Sequence, residues 1–338
     1  MSNTPKKNST SLIRLDASPY QSKSFFERER AMAQELGLSY HGLNLKNKEQ
    51  TELEKFIKDE CTKEESFILI SNTHTPTKLI PCEILDRTLL LMHPNSGHDN
   101  FSLDWVEKQG FPIVLGNSIR HKPVTEYILG LLFHHFAFHP RQRKWSAERI
   151  WERALISKKN ILIIGFGHIG KTLSEVLTPI AKKVMLFDPF EHLGETPLKK
   201  LLPHSDIILV AASLNPSSRE LLGEKEFLTL PHDFLLINGA RGELIDQTAL
   251  VKILKERPKS FAYLDVFESE PFNEDEFEGL DNIHTTSHIA GVSQHLNEDI
   301  LSFELQTLKD FFSSDLEEFT HKYDKQLLHK RKETSFLK

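Results

Sequence analysis

Apolar positions along this chain fall into short unbroken runs separated by stretches of helical spacing, and the alternation tightens toward the middle. Phe67-Ile68-Leu69-Ile70, Thr88-Leu89-Leu90-Leu91-Met92 and the shorter run from Phe111 to Leu115 read as strands. Leu12 to Leu15 begins another strand, and Phe25 to Leu36 has helical spacing with Gly37 as its stop. A charged stretch from Thr51 to Lys58 reads as helix, and Val124 to Phe138 as a long, mostly buried one. From Asn160 onward strands are predicted at 161–164, 183–187, 206–210, 234–237 and 261–264, with helices at 168–178, 224–229 and 247–256. Strands alternating with helices through such short links predict an α/β chain with doubly wound parallel sheet. Sheets of that kind bind ligands beyond the carboxyl ends of their strands, so chemistry is sought just after each run.

The run ending at Ile164 leads into GFGHIG, where Gly165, Gly167 and Gly170 form G-x-G-x-x-G between a strand and a helix. The first glycine permits a tight turn, the second lets a pyrophosphate approach the backbone, and the third lets the helix pack against the strand. Asp188 closes the next predicted strand in VMLFDP. A carboxylate there accepts hydrogen bonds from a ribose diol and repels a 2′-phosphate, which favours NAD over NADP. A packing turn followed by a surface aspartate is the blander explanation, and methyltransferases use similar glycine turns.

The predicted strand 234–237 ends in NGARGELID, with Arg241 between two glycines. A guanidinium beyond a central strand suits an anion or a polarised oxygen. LDVFESEP brings Asp265, Glu268 and Glu270 after another strand, and TTSHIAG brings His288. Taken singly, a loop glutamate is usually solvated and a lone histidine usually structural. Together they suit one reaction: hydride leaving a secondary alcohol needs a base for the hydroxyl proton, an imidazole serves near neutrality, and a carboxylate orients it. Arg241 then grips the carboxylate of a 2-hydroxy or 2-oxo acid. A methyltransferase reading of the glycine turn leaves Arg241, Glu270 and His288 unexplained.

With GFGHIG and Asp188, NGARGELIDQTAL, LDVFESEP and TSHIAG in this order, the chain resembles the D-isomer-specific 2-hydroxyacid dehydrogenase family. GHDN at 97–100 and PVTE at 123–126 are similar to its substrate-loop and linking-helix patterns. The resemblance implies a Rossmann-type NAD-binding domain, 119–293, inserted into a discontinuous flavodoxin-like substrate domain, 1–118 with 294–338. It implies Arg241 as the substrate-binding arginine, Glu270 as partner of His288, and His288 as acid/base. Gly165, Gly167, His168, Ile169, Gly170, Asp188 and Ala240 are expected at the cofactor, with Asp265 on the nicotinamide amide. Backbone N–H groups around Asn95, Ser96 and Gly97 are expected on the substrate carboxylate, although a plain turn explains that loop equally well. Phosphoglycerate, hydroxypyruvate and glyoxylate are the kinds of acid it admits. An NAD-sensing binding protein of the corepressor type is the alternative. Ser213 and Ser287 depart from the family, which usually has proline at both places, so the stiffness of two loops is in question.

Bulk properties change this picture little. At 338 residues, 39% hydrophobic and 27% charged, the chain has ordinary globular composition for two domains. A net charge of -6 gives no electrostatic reason to expect nucleic acid or an anionic membrane. The first thirty residues lack the apolar core of a signal peptide, and no run approaches a membrane span, so a cytoplasmic enzyme is expected. Cys61 and Cys82 form no CxxC pattern, which fits a reducing compartment and no structural zinc. His135 and His139 have the i, i+4 spacing of zinc proteases, but the intervening FAF offers no glutamate and no metal is expected. Runs such as Arg141, Arg143 and Lys144, or Lys330 to Lys332, are usually solvated. In the family the first lies near the dimer contact, which implies a homodimer.

Overall fold

The computed structural model describes residues 9–15, 21–42, 66–137, 153–189 and 196–328, together with 145, 147, 191 and 193. The expected helix from Thr51 to Lys58, His139 and both basic clusters lie outside these residues. The chain divides into two compact units, one running to Arg120 and resuming at Ser293, the other His121–Val292. The longer helices are α1 (Lys23–Glu35), α2 (Asn117–Ala137), α3 (His168–Leu177), α4 (Gln247–Glu256) and α5 (Leu296–Ser313).

The first unit holds β1 (Thr10–Arg14), β2 (Ser39–Gly42), β3 (Ser66–Ile70), β4 (Thr88–His93) and β5 (Ile113–Leu115). They form one parallel sheet in the order β2-β1-β3-β4-β5. The unbroken apolar runs follow from its two covered faces. Ile13, Phe67, Leu69, Leu91, Ile113 and Leu115 enter one core, while Leu12, Ile68, Ile70, Leu90, Met92 and Val114 enter the other, against Leu308 and Phe311 of α5. Successive side chains on a strand point to opposite faces, so a sheet covered twice needs apolar residues at every position. The edge strand β2, SYHG, has no buried residue, and its pattern does not announce it.

The second unit holds β6 (Asn160–Ile164), β7 (Lys183–Phe187), β8 (Ile207–Val210), β9 (Leu235–Asn238), β10 (Phe261–Leu264) and β11 (Ile283–Thr285). Its parallel sheet has the order β11-β10-β9-β8-β6-β7. The chain leaves β6 toward β7 and returns to β8 on the other side, so the winding reverses between β6 and β8. Crevices at such reversals are where open α/β sheets take ligands.

Helix α2 begins at Asn117, seven residues before the periodic run at Val124, and carries Pro123 inside it. Proline lacks an N–H and is disfavoured in a helix interior, which is why the pattern alone starts the helix after it. The helix nonetheless continues through Pro123, with Thr125 Oγ1 donating to the His121 carbonyl at 2.7 Å just beyond it.

Candidate active site

The glycine turn is built by close approach. Gly165 has φ +97°, and a Cβ there would lie 2.5 Å from the Ala212 nitrogen in the segment that follows β8. A Cβ on Gly170 would lie 1.9 Å from the Gly165 carbonyl oxygen. Both positions therefore exclude any side chain. Gly167 is different: a Cβ there would meet nothing within 4 Å, and as N-cap of α3 it supplies no side-chain cap. A helix N-terminus with uncapped N–H groups behind open space fits a pyrophosphate. His168, the first residue of α3, is exposed, and Ile169 packs partly against the core beneath. Asp188 follows β7 and its Oδ2 accepts the Phe166 N–H at 2.7 Å, which ties the turn to the carboxylate expected at a ribose. This cradle fits a dinucleotide.

Arg241 sits three residues beyond β9. Asn238, only 1% exposed, braces its turn from both sides: Nδ2 donates to the Arg241 carbonyl at 2.9 Å and Oδ1 accepts from Ala240 N at 3.0 Å. The guanidinium donates from Nη1 to the Ala240 carbonyl at 2.7 Å and is half-buried. Gly242 allows the turn to meet the next one, since a Cβ there would lie 1.9 Å from the carbonyl carbon of Phe267.

The three acids of LDVFESEP divide their work. Asp265 is buried and holds the histidine loop. Its Oδ1 accepts from Thr286 Oγ1 at 2.6 Å and Ile289 N at 2.8 Å, its Oδ2 accepts from Ala290 N at 2.8 Å, and its carbonyl accepts His288 N at 2.8 Å. Because the Thr286 proton goes to Asp265, the Tyr127 hydroxyl donates to Thr286, at 2.5 Å. Burial raises the Tyr127 phenol above its ordinary range, with a smaller push from Asp265. Glu268 accepts Gln247 N at 2.8 Å and so caps α4. Glu270 accepts from His288 Nδ1 at 2.8 Å.

Glu270 is partly buried, which raises its carboxyl, but hydrogen bonding and charge from His288, the Phe267 N–H and Arg241 outweigh that and hold it below the usual range. An ionised carboxylate only accepts, so Nδ1 of His288 carries a proton and Nε2 is left for a reacting oxygen. His288 has φ +55°, a left-handed conformation costing about 1–2 kcal/mol in which histidine is among the more tolerated residues. The Asp265 bonds on either side hold it there. Leu264 pairs with Asn238 and with Thr285, so Arg241, Glu270 and His288 all follow the carboxyl ends of three adjacent strands.

In the first unit Pro94–Asn100 follows β4. The Asn95 N–H donates to the His93 carbonyl at 2.7 Å, so it is turned inward. Among the described residues the N–H groups of Ser96 and Gly97 have no partner. Tyr127, Thr286 and Asn238 are the supporting residues that sequence reasoning missed. Thr286 and Asn238 stand inside the quoted motifs, while Tyr127 lies 159 positions from its partner and carries no local signal.

Residues 128–290 match the model of the D-isomer specific 2-hydroxyacid dehydrogenase, NAD binding domain. The matched stretch is just under half of the chain. Erythronate-4-phosphate dehydrogenase of Wigglesworthia glossinidia brevipalpis is 32% identical over 206 residues, 59% of this chain and 51% of its own. D-3-phosphoglycerate dehydrogenase of Escherichia coli K12 is 29% identical over 220 residues, 60% of this chain and 54% of its own. The chain thus spans about half the length of these relatives. The solved structure of D-lactate dehydrogenase from Aquifex aeolicus, with NAD and lactic acid, covers 94% of this chain at TM-score 0.70 and 20% identity, with 99% of its own chain covered, which shows a shared fold. Where that family usually has prolines, the matched segment holds its two serine-bearing loops by hydrogen bonds. The Ser213 carbonyl accepts from Ser218 Oγ at 2.8 Å, and Ser287 lies between Thr286 and His288, both tied to the end of β10.

Proposed function

We propose that this chain is an NAD-dependent oxidoreductase that interconverts a short D-2-hydroxy acid and its 2-oxo acid, with His288 as acid/base. The observation that carries it is the His288–Glu270 pair, 2.8 Å apart, beyond the same sheet that carries the dinucleotide cradle. Bound NADH supplies hydride to the carbonyl carbon. In reduction, His288 holds a proton at Nε2 and donates it to the carbonyl oxygen, and in oxidation it accepts one there. Glu270 keeps Nδ1 engaged, which orients the ring. Arg241 holds the acid's carboxylate with its planar fork and polarises the neighbouring carbonyl. Asp188 selects NAD by its charge, and the N–H groups of Ser96 and Gly97 take the acid end of the substrate. Phosphohydroxypyruvate, hydroxypyruvate and glyoxylate are the acids to try first. A cytoplasmic homodimer belongs to the same reading, and sedimentation at micromolar concentration checks the stoichiometry.

The test is NADH consumption with a panel of those 2-oxo acids and pyruvate. Turnover with one of them is expected, lost in His288→Ala. Arg241→Lys is expected to raise KM and lower kcat while leaving NADH binding nearly intact, because lysine lacks the bidentate fork. Unchanged turnover in that variant removes Arg241 from the site, and no turnover of any acid by the wild type overturns the function.

A further inference from the structure

His93 ends β4 and is fully buried, yet nothing in the chemistry above uses it. Its ring makes two hydrogen bonds, Nε2 to the Gly97 carbonyl at 2.7 Å and Nδ1 to Ser71 Oγ at 2.9 Å. The carbonyl can only accept, so Nε2 carries the proton. A neutral ring protonated at Nε2 leaves Nδ1 as acceptor, so the Ser71 hydroxyl donates to it. Burial pushes this imidazole down to about 3, which keeps it neutral across the working range. Ser71 is itself fully buried, and the His93 and Phe101 rings pack nearly perpendicular with their centroids 5.0 Å apart.

The geometry points to His93 as a positioning residue for substrate binding, one that sets the direction of the backbone N–H groups in the loop Pro94–Asn100. This rests on the reading of that loop as the part that takes the acid's carboxylate. A peptide unit is planar and trans, so a carbonyl held toward one side turns the N–H of the same unit to the other. Holding the Gly97 carbonyl against His93 therefore aims the His98 N–H away from the buried ring. The preceding unit is held too, with His98 Nδ1 donating to the Ser96 carbonyl at 3.2 Å, which sets the Gly97 N–H. The far end is pinned by Asn100, whose Nδ2 donates to the carbonyls of Asn72 and Thr75, each at 3.1 Å. Successive N–H groups fixed in this way form an anion-binding concavity that does not have to be ordered by its ligand.

Two variants test it. His93→Leu removes both hydrogen bonds and keeps an apolar side chain against Phe101, and His93→Gln keeps an N–H donor near the place of Nε2. The expected result is a KM for the 2-oxo acid raised about ten- to hundredfold in His93→Leu, with a smaller loss in kcat and NADH affinity unchanged. His93→Gln is expected to recover most of the KM. A folded His93→Leu with wild-type KM, or a Gln variant that recovers nothing, overturns the proposal. Should His93→Leu not fold, the wild-type ring decides by 15N magnetic resonance: an Nε2–H tautomer that does not titrate from about pH 5 to 9 supports it, and an Nδ1–H or titrating ring overturns it. Wild-type protein that turns over no acid removes the proposed function, and amide exchange at Gly97 and His98 then reads the positioning directly. Faster exchange in His93→Leu supports it and unchanged exchange overturns it.

Discussion

At the scale of single residues, the His288–Glu270 pair rests on a second carboxylate, that of Asp265. Asp265 accepts two backbone N–H groups and one hydroxyl with its side chain, all from residues 286–290. Asp265→Asn replaces one acceptor oxygen with a donor that must face the N–H of Ile289 or Ala290. The expected cost is about 1–3 kcal/mol of stability, with kcat/KM down by at least about tenfold because His288 is no longer held at its left-handed φ. Thermal unfolding and steady-state kinetics check this together. Restored kinetics in a variant that unfolds early would mean that Asp265 stabilises the loop without positioning the histidine. The Glu270 carboxyl adds a pH dependence of known sign. Its folded pKa is lowered, so its contribution is present above the ordinary carboxylate range and fades as pH falls through the lowered value. Both partners are more than a third exposed, so solvent screening keeps that contribution small.

At the scale of elements, the site depends on the ends of β9 and β10 approaching more closely than any side chain permits. Gly242 and the Phe267 backbone meet where a Cβ would stand at 1.9 Å, and backbone cannot yield as a flexible side-chain tip can. Gly242→Ala is therefore expected to cost about 1–3 kcal/mol or more and to spread Arg241 from Glu270. Turnover should fall further than stability, and a crystal structure of the variant should show the two turns parted. An alanine variant with wild-type kcat/KM would show that the close approach is unnecessary for the chemistry.

At the scale of the whole molecule, the first unit encloses an ionic cluster that no part of the proposed reaction uses. Arg14 of β1 bonds to Glu29 of α1 and to Glu304 of α5, and Tyr40 of β2 donates to Glu29; Arg14, Glu29 and Glu304 are at most 1% exposed. Burial lowers the Arg14 pKa, but the two carboxylates raise it by more. Burial raises the Glu29 carboxyl, but Arg14 outweighs it and holds the group below its usual range. Burial and the neighbouring Glu29 raise Glu304 well above the carboxylate range, so it is the protonated member. A raised folded pKa gives stability that is full below the unfolded value, about 4.3, and is lost as pH rises toward the folded one. Glu304→Gln mimics the protonated carboxyl and removes that loss. Its denaturant midpoint is expected to gain on the wild type as pH rises from about 4.5. Parallel curves would place the proton elsewhere.

Periodicity and motif order by themselves determined the doubly wound parallel sheet and the glycine turn followed by Asp188, and they singled out Arg241, Glu270 and His288 as the groups to look for beyond its strands. Those features are local: an apolar run reports its own burial, and a glycine reports a turn within a few residues. Strands β2 and β11 escaped because short edge strands bury too little to leave a pattern. Only the tertiary structure decided that Asp265 braces the histidine loop, that Asn238 braces the Arg241 turn, that Gly242 meets the Phe267 backbone, and that His93 bonds the Gly97 carbonyl in the loop after β4. It also decided the Arg14 cluster, whose members stand up to 290 positions apart. Each of these is a hydrogen bond or a close approach between segments whose meeting depends on the order of strands in a sheet, and strand order is a property of the folded chain that no local stretch of residues encodes.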